Sequence, residues 1–296
     1  MQLILHQHDL ANFMSCPCLY NLTSNLGYRT KTLKKAINIG DLFTKGVELL
    51  HLNKPLAEAM LLVKKQQDEL LLQATKQEHI DDINTDTSTV QAMLYGYEKK
   101  WLRVPRYKVQ PEHHVTWKFK IFGVNVTYIN RLDGRLLDIA QHPWILEIKT
   151  AAKVQKDLLL ELPTNFQINS YWLANYKANK EMAYGVVYRF VVKPTIRQKQ
   201  TENAEQFQKR VIGEYEQYTA KYFYEETLFV DKGALARFEK DITLIFEDLI
   251  MAHVKKRWPR KGNACMLKYG SLCDFIRYCG DPTEETLQTY YKKEDK

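Results

Sequence analysis

The cysteines of this chain fall at its two ends: Cys16 and Cys18 near the start, Cys265, Cys273 and Cys279 near the finish, and none from residue 19 to residue 264. Thiols distributed in this way constrain topology, because a site they share closes one very long loop and fixes the two ends of the chain to each other. Cys265, Cys273 and Cys279, with aromatic and glycine spacers between them, make a thiolate cage short of one ligand, which Cys16 or Cys18 could complete. Four thiolates suit zinc or an iron–sulfur cluster, and spacing alone does not separate the two. A lone unpaired cysteine is most often a small buried hydrophobe, but clustering at the ends speaks against that fate here. The segment Met1 to Asp9 has neither the basic start nor the apolar run of about 7–15 residues that a secretory signal needs. A cytoplasmic protein is therefore expected, in which cysteines serve metals or catalysis rather than disulfides.

With 45% hydrophobic and 26% charged residues the chain can bury a core, which excludes a disordered, collagen-like or fibrous protein. No uninterrupted apolar stretch of about 18 residues is present, so no membrane span is expected. Helical periodicity is expected over 9–26 (broken by Pro17), 40–52, 55–77 and 89–103, with the polar stretch 81–88 read as a loop. From Glu112 to Thr150 the composition turns to Val, Ile, Phe, Trp and Tyr, predicting three or four strands. A helix over 163–179, a strand over 183–193 and helical structure over 202–257 follow, and the tail beyond Gly280 is polar enough to fray at its end. The fold class is α/β: a mixed sheet flanked by helices.

In Trp144-Ile145-Leu146-Glu147-Ile148-Lys149-Thr150, strand alternation puts Ile145, Glu147 and Lys149 on one face and Trp144, Leu146 and Ile148 on the other. A strand beginning at Arg135, followed by a turn before Trp144, could bring Asp133 beside Glu147. Two adjacent carboxylates form a hard-oxygen site for Mg²⁺ or Mn²⁺, which could activate water and offset charge on a phosphodiester. A neighbouring lysine could orient that water or stabilise the developing charge. By itself, a Glu-x-Lys pair on a half-exposed strand is the pattern of a solvated face.

Asp133 followed by Glu147-x-Lys149 resembles the signature of the PD-(D/E)XK nuclease superfamily. Gln167 and Tyr171, four apart on one helix face, resemble the Gln-x-x-x-Tyr motif of its RecB-like branch, which sits beside DNA and metal. Val192 to Arg197, then Glu205-x-x-x-Lys209-Arg210 and Tyr222-Phe223, are similar to a segment of phage-type exonucleases of that branch, and Glu112 resembles the acidic residue preceding the catalytic hairpin. The resemblance implies a restriction-endonuclease-like core in which Asp133, Glu147 and the backbone carbonyl of Ile148 hold Mg²⁺ or Mn²⁺. Lys149, Gln167 and Tyr171 would complete the catalytic set. AddB-like and CRISPR-adaptation nucleases place one cysteine before this core and three after it, around a [4Fe–4S] cluster. That pattern implies Cys16, in its Cys-Pro dipeptide, with Cys265, Cys273 and Cys279, leaving Cys18 spare and Zn²⁺ as the lesser alternative.

The sequence departs from the family at two positions. The family's metal-binding histidine, in a Gly-x-x-x-His helix, is Thr44 in Gly40-Asp41-Leu42-Phe43-Thr44, and the glycine before the catalytic aspartate is Asn130. His51 is a candidate substitute for the missing ligand. Lys255, Lys256, Arg257, Arg260 and Lys261 surround Trp258 and suit phosphates and a stacked base, or simply form a solvated connector. A net charge of +8, from 43 basic and 35 acidic residues, agrees with a DNA-binding role. The expected organisation is an N-terminal helical part (1–110) carrying the first cluster cysteine, a nuclease core (111–200), and a helical C-terminal part (201–296) carrying the other three. The resemblance implies a metal-dependent deoxyribonuclease, an exonuclease in phage or mobile-element recombination or replication. A helicase or single-strand annealing protein is its candidate partner. The competing reading is a catalytically weak or inactive DNA-binding or structural subunit.

Overall fold

A computed structural model describes residues 1–31, 39–72, 74, 76–111, 113–154, 156–266 and 272–294, with the side chains of 156–158 excluded; Glu112 lies outside the described residues. In chain order its elements begin with β1 (Gln2–His6), α1 (Gln7–Ser15), α2 (Pro17–Tyr20), β2 (Tyr28–Thr30), α3 (Ile39–His51), α4 (Leu56–Leu71) and α5 (Gln77–Tyr97). Next come β3 (Lys108–Gln110), β4 (His113–Ile121), β5 (Val124–Leu132), β6 (Gly134–Leu137), β7 (Pro143–Ala151), α6 (Lys156–Glu161) and α7 (Phe166–Asn179). The remainder is β8 (Gly185–Val192), α8 (Ala204–Gln217), α9 (Thr219–Tyr222), β9 (Phe223–Phe229), α10 (Lys232–Lys255), α11 (Ile276–Gly280), α12 (Glu284–Tyr290) and β10 (Tyr291–Lys293). The chain divides into two compact units interleaved in sequence, one of residues 1–33, 116–130 and 232–296, the other of 34–115 and 131–231. The division read from the sequence runs in blocks along the chain; the structural one does not.

The larger unit holds a five-stranded mixed sheet in the order β3-β6-β7-β8-β9, in which β7 and β8 are parallel and the other neighbours antiparallel. All eight residues of β8 are buried, as its unbroken run of Val, Tyr, Phe and Arg requires of a strand covered on both faces. Trp144, Leu146 and Ile148 of β7, with Val187 and Val191 of β8, pack into one core with Leu42, Phe43, Val47 and Leu50 of α3 and Val90, Met93 and Leu94 of α5. The smaller unit has the sheet order β1-β5-β4 and a two-stranded pairing of β10 with β2. A two-residue turn joins β4 to β5 at Phe122 (φ 47°) and Gly123 (φ 78°), the double left-handed geometry that closes a tight hairpin.

Two expectations need correction. The stretch 81–88 is helical, part of α5, because its polar side chains are spent on neighbours: Asn84 Oδ1 accepts from Gln67 at 2.7 Å, Ser88 donates to the Ala204 carbonyl at 3.2 Å, and Ile83 and Thr87 are buried. Tertiary contact overrides weak helix propensity. The helical stretch 202–257 is interrupted by β9, whose Glu225 pairs across β8 with the buried Arg189. Beyond Gly280 the chain continues as α12 and β10, with Tyr291 stacked on Phe275 at 4.7 Å, and its last two residues lie outside the described residues.

Gly185 and Gly213 provide a stability test. A Cβ at Gly185 would lie 2.1 Å from the Leu228 carbonyl oxygen and 2.5 Å from the Trp144 ring, so Gly185→Ala is expected to destabilise by about 1–3 kcal/mol. At Gly213, inside α8, nothing lies within 4 Å, and Gly213→Ala is expected to stabilise by about 0.5–1 kcal/mol. Urea unfolding of both variants beside the native chain checks the two signs.

Candidate active site

The β6–β7 pairing sets Gly134 opposite Leu146, which brings Asp133, just before β6, level with Glu147. Asp133 Oδ2 accepts the backbone N–H of Ile148 at 2.8 Å, so its side chain is fastened to β7. Glu147 is 1% exposed, and neither of its oxygens meets a hydrogen-bond donor in good geometry. The Lys149 ammonium, on the same face of β7, is in ion-pair contact with Oε1, and the Tyr171 hydroxyl is the other polar neighbour.

Burial, reinforced by the Asp133 charge and opposed by Lys149, pushes Glu147 up to about 7. Burial works against the charged form of Lys149, yet the two carboxylates hold its ammonium above the ordinary lysine range. Tyr171 and Tyr188 are both pushed above the usual phenol range, first by burial and then by Glu147 and Asp133. A buried carboxylate beside a second one, only partly offset by a lysine, is the environment a divalent cation relieves.

Gln167 and Tyr171 sit one turn apart on α7, with Gln167 Nε2 donating to Tyr171 Oη, and Asn165 capping the helix through the N–H groups of Gln167 and Ile168. The structure therefore brings Asp133, Glu147, Lys149, Gln167 and Tyr171 together. It adds Tyr188, which pairs in register with Glu147 and stacks on Phe190 at 4.6 Å. The strand expected over 183–193 includes Tyr188, but only the register against β7 shows that it lies beside Glu147. Thr44 Oγ1 donates to the Gly40 carbonyl within α3 at 2.9 Å. His51 is buried with Nε2 2.9 Å from Tyr97 Oη, and burial and the Arg189 charge hold it near 3 and neutral. Its Nε2 is thus committed to Tyr97 and not available as a replacement metal ligand.

The basic segment and the cysteines lie in the smaller unit. Lys255, Lys256 and Arg257 are exposed, whereas Trp258 packs against His253 (4.8 Å) and Tyr20 (5.5 Å). Arg260 donates to the Cys279 carbonyl and Lys261 to that of Met14, so these two cations also tie the segment down. All five cysteines are free; Cys16 and Cys18 are buried in a cluster with Leu22, Phe275 and Tyr291, against which Cys273 and Cys279 pack. Burial and the neighbouring thiols push Cys279 up to about 11 and raise Cys18 and Cys273. Cys18, the spare of the sequence reading, is the residue whose thiol hydrogen-bonds with Cys279. Among the described residues no three His, Cys, Asp or Glu side chains are grouped as a metal-ligand set.

The raised Glu147 carboxyl has a signed consequence. A group lifted from 4.5 to about 7 by folding contributes stability below 4.5 that is lost as pH rises through 7. In chelator, the native chain is expected to lose stability relative to Glu147→Gln across that window, by up to about 3 kcal/mol, with Mn²⁺ restoring it on the alkaline side. Thermal unfolding of both proteins across pH 5–8 measures it, and parallel curves would count against the buried charge.

A family model for the PD-(D/E)XK nuclease superfamily matches residues 7–280. No curated protein matches the chain. Among solved structures, one described as SSO0001 aligns at TM-score 0.31 and 12% identity, covering 62% of this chain and 84% of its own. Rai1 of Scheffersomyces stipitis, solved in complex with (3'-NADP)+ and calcium ion, aligns at TM-score 0.19 and 12% identity, covering 80% and 81%. Extending from α1 to α11, and thus over Asp133, the Glu147-x-Lys149 strand and the α7 pair, the family match places the chain in the PD-(D/E)XK nuclease superfamily.

Proposed function

We propose that the protein is a Mg²⁺- or Mn²⁺-dependent deoxyribonuclease of the RecB-like branch, acting as an exonuclease in phage or mobile-element recombination or replication. The observation that carries this reading is Glu147, buried, without a well-placed hydrogen-bond donor, and set beside Asp133. Asp133, Glu147 and the Ile148 carbonyl would hold the cation, which when bound supplies Lewis acidity and a more acidic water. Asp133 is kept in place by the Ile148 N–H. Lys149, held charged by both carboxylates, is placed to orient a water or to balance charge on a phosphate oxygen. Tyr171, oriented by Gln167, and Tyr188 shape the wall on which a DNA strand would lie. Lys255, Lys256 and Arg257 are exposed cations suited to phosphates.

The weak or inactive alternative rests on Thr44, whose hydroxyl is engaged within its own helix at the position of the family's histidine. For the thiols, a [4Fe–4S] cluster with Cys16, Cys265, Cys273 and Cys279, or a zinc ion in its place, remains the reading that accounts for five free cysteines in one unit. The Cys18–Cys279 contact makes Cys18 a rival to Cys16.

Labelled linear and circular DNA with Mn²⁺ or Mg²⁺ tests the enzyme. The native chain is expected to degrade linear DNA and spare circles, Glu147→Gln to be inactive, and Lys149→Ala to be slower by about 10²–10³. Cleavage undiminished in Glu147→Gln would remove the proposed site, and an inert native protein would favour the non-catalytic reading. Anaerobically purified protein is expected to be brown, absorbing broadly near 400 nm. Comparing Cys16→Ser with Cys18→Ser, the bleached variant identifies the ligand; a colourless, zinc-loaded protein would exclude the cluster.

A further inference from the structure

In the smaller unit, one face of the β1-β5-β4 sheet is packed and the other is open. Trp117 and Phe119 of β4 meet Phe246 of α10 at 6.0 and 4.8 Å, and Tyr128 of β5 joins them at 5.2 Å. Strand alternation therefore turns Thr116, Lys118 and Lys120 to the opposite face, where all three are exposed. Among the described residues neither lysine forms an ion pair or a hydrogen bond, and the strands β1, β4 and β5 contain no Asp or Glu. The open face is cationic without local neutralisation, which makes it complementary to a polyanion.

The tip of the β4–β5 hairpin adds an aromatic ring to this face's edge. Phe122 is 65% exposed and sits at φ 47°. The first position of a tight, doubly left-handed turn ordinarily goes to Asn, Asp or Gly, because a bulky side chain is strained at positive φ. Behind it Gly123 stands in open space, with nothing within 4 Å of where a Cβ would be. A ring held in an unfavourable backbone conformation, and given little cover by its own chain, finds its use outside the chain.

Lysines beside an exposed ring are the pairing that holds a single strand of nucleic acid, with cations on the phosphates and the ring on the face of a base. A duplex keeps its base faces inside the stack, so the ring selects unpaired bases. We propose that the β4–β5 hairpin is a single-strand contact of this protein: Lys118 and Lys120 lie on phosphates, and Phe122 stacks on an unpaired base. The proposal rests on the reading of DNA as the substrate and specifies the form in which the DNA is held.

The test is binding of the full chain to fluorescein-labelled oligonucleotides, read by anisotropy in EDTA so that nothing is cut. Phe122→Asn suits the turn better than phenylalanine does, so its effect is not one of folding. It is expected to bind a single strand about tenfold or more weakly and to lose no more than about twofold on a blunt duplex of the same length. Phe122→Trp keeps a ring and is expected to stay within about threefold of native on both. Lys118→Gln combined with Lys120→Gln is expected to reduce the slope of log affinity against log salt by about 1.4 for the single strand, the contribution of two phosphate contacts. The proposal is overturned by a native chain that binds neither oligonucleotide, by Phe122→Asn losing nothing or losing equally on both, by Phe122→Trp falling as far as Phe122→Asn, or by an unchanged salt slope. A hairpin indifferent to DNA in these ways would leave its tip for a protein partner. The two readings fail separately. Metal-dependent cutting by a chain whose binding ignores Phe122→Asn rejects the hairpin contact alone, whereas Phe122-dependent binding by a chain that cuts nothing with Mg²⁺ or Mn²⁺ rejects the nuclease reading alone.

Discussion

The parallel pairing of β7 with β8 is the constraint on which the larger unit depends. Its register puts Glu147 opposite Tyr188 and Lys149 opposite Phe190 on one face, and Ile148 opposite Arg189 on the other. A one-residue slip would exchange the faces, sending the carboxylate into the aliphatic core and the core residues into the site. Register is protected by burial on both sides: β8 has no exposed residue along its length, and Trp144, Leu146 and Ile148 are locked among side chains from α3 and α5. The sheet therefore serves as a partition, with the candidate reactive groups on one side and the buried row of Glu225, Arg189, Tyr97 and His51 on the other.

That partition explains why ionisable groups can be buried so deeply. An isolated charge in such a place would neutralise. Arg189 stays charged because Glu225, Tyr97 and the Trp101 ring surround it. Glu147 has no comparable set: Lys149 partly offsets it, while Asp133 works against it. The difference between a satisfied buried ion and an unsatisfied one is what separates a structural network from a candidate site in this molecule.

The parts legible in the sequence were those governed by local rules. Alternation along 144–150 sufficed to put Glu147 and Lys149 on one face, and the turn before Trp144 sufficed to bring Asp133 level with them. Four-residue helical spacing gave the Gln167–Tyr171 contact. What could not be read depends on distant partners. Residues 81–88 carry turn-forming side chains, and only their contacts with α4 and the start of α8 make them helical. β9 carries Glu225 and Glu226, which suit a helix surface until Arg189 claims one of them across the sheet. Tyr97 meets His51 and Arg189 from 46 and 92 residues away, and no periodicity announces such meetings.

The same physics governs the smaller unit, with thiols in place of carboxylates. Burial raises Cys18, Cys273 and Cys279, reinforced by Cys16 at Cys18, by Cys279, Cys265 and Cys16 at Cys273, and by Cys18 and Cys265 at Cys279, so the thiol form is favoured at each. A metal or cluster would reverse that balance by binding the deprotonated form and releasing protons. It would also staple α2 to the segment containing Cys273 and Cys279: α2 meets that region through the Cys18 N–H on the Pro259 carbonyl, and the segment itself is held by Arg260 on the Cys279 carbonyl and by the Phe275–Tyr291 stack. The first of these contacts, with Lys261 donating to the Met14 carbonyl, joins the two ends of the chain. Packing thus brings thiols from both ends of the chain into one cluster.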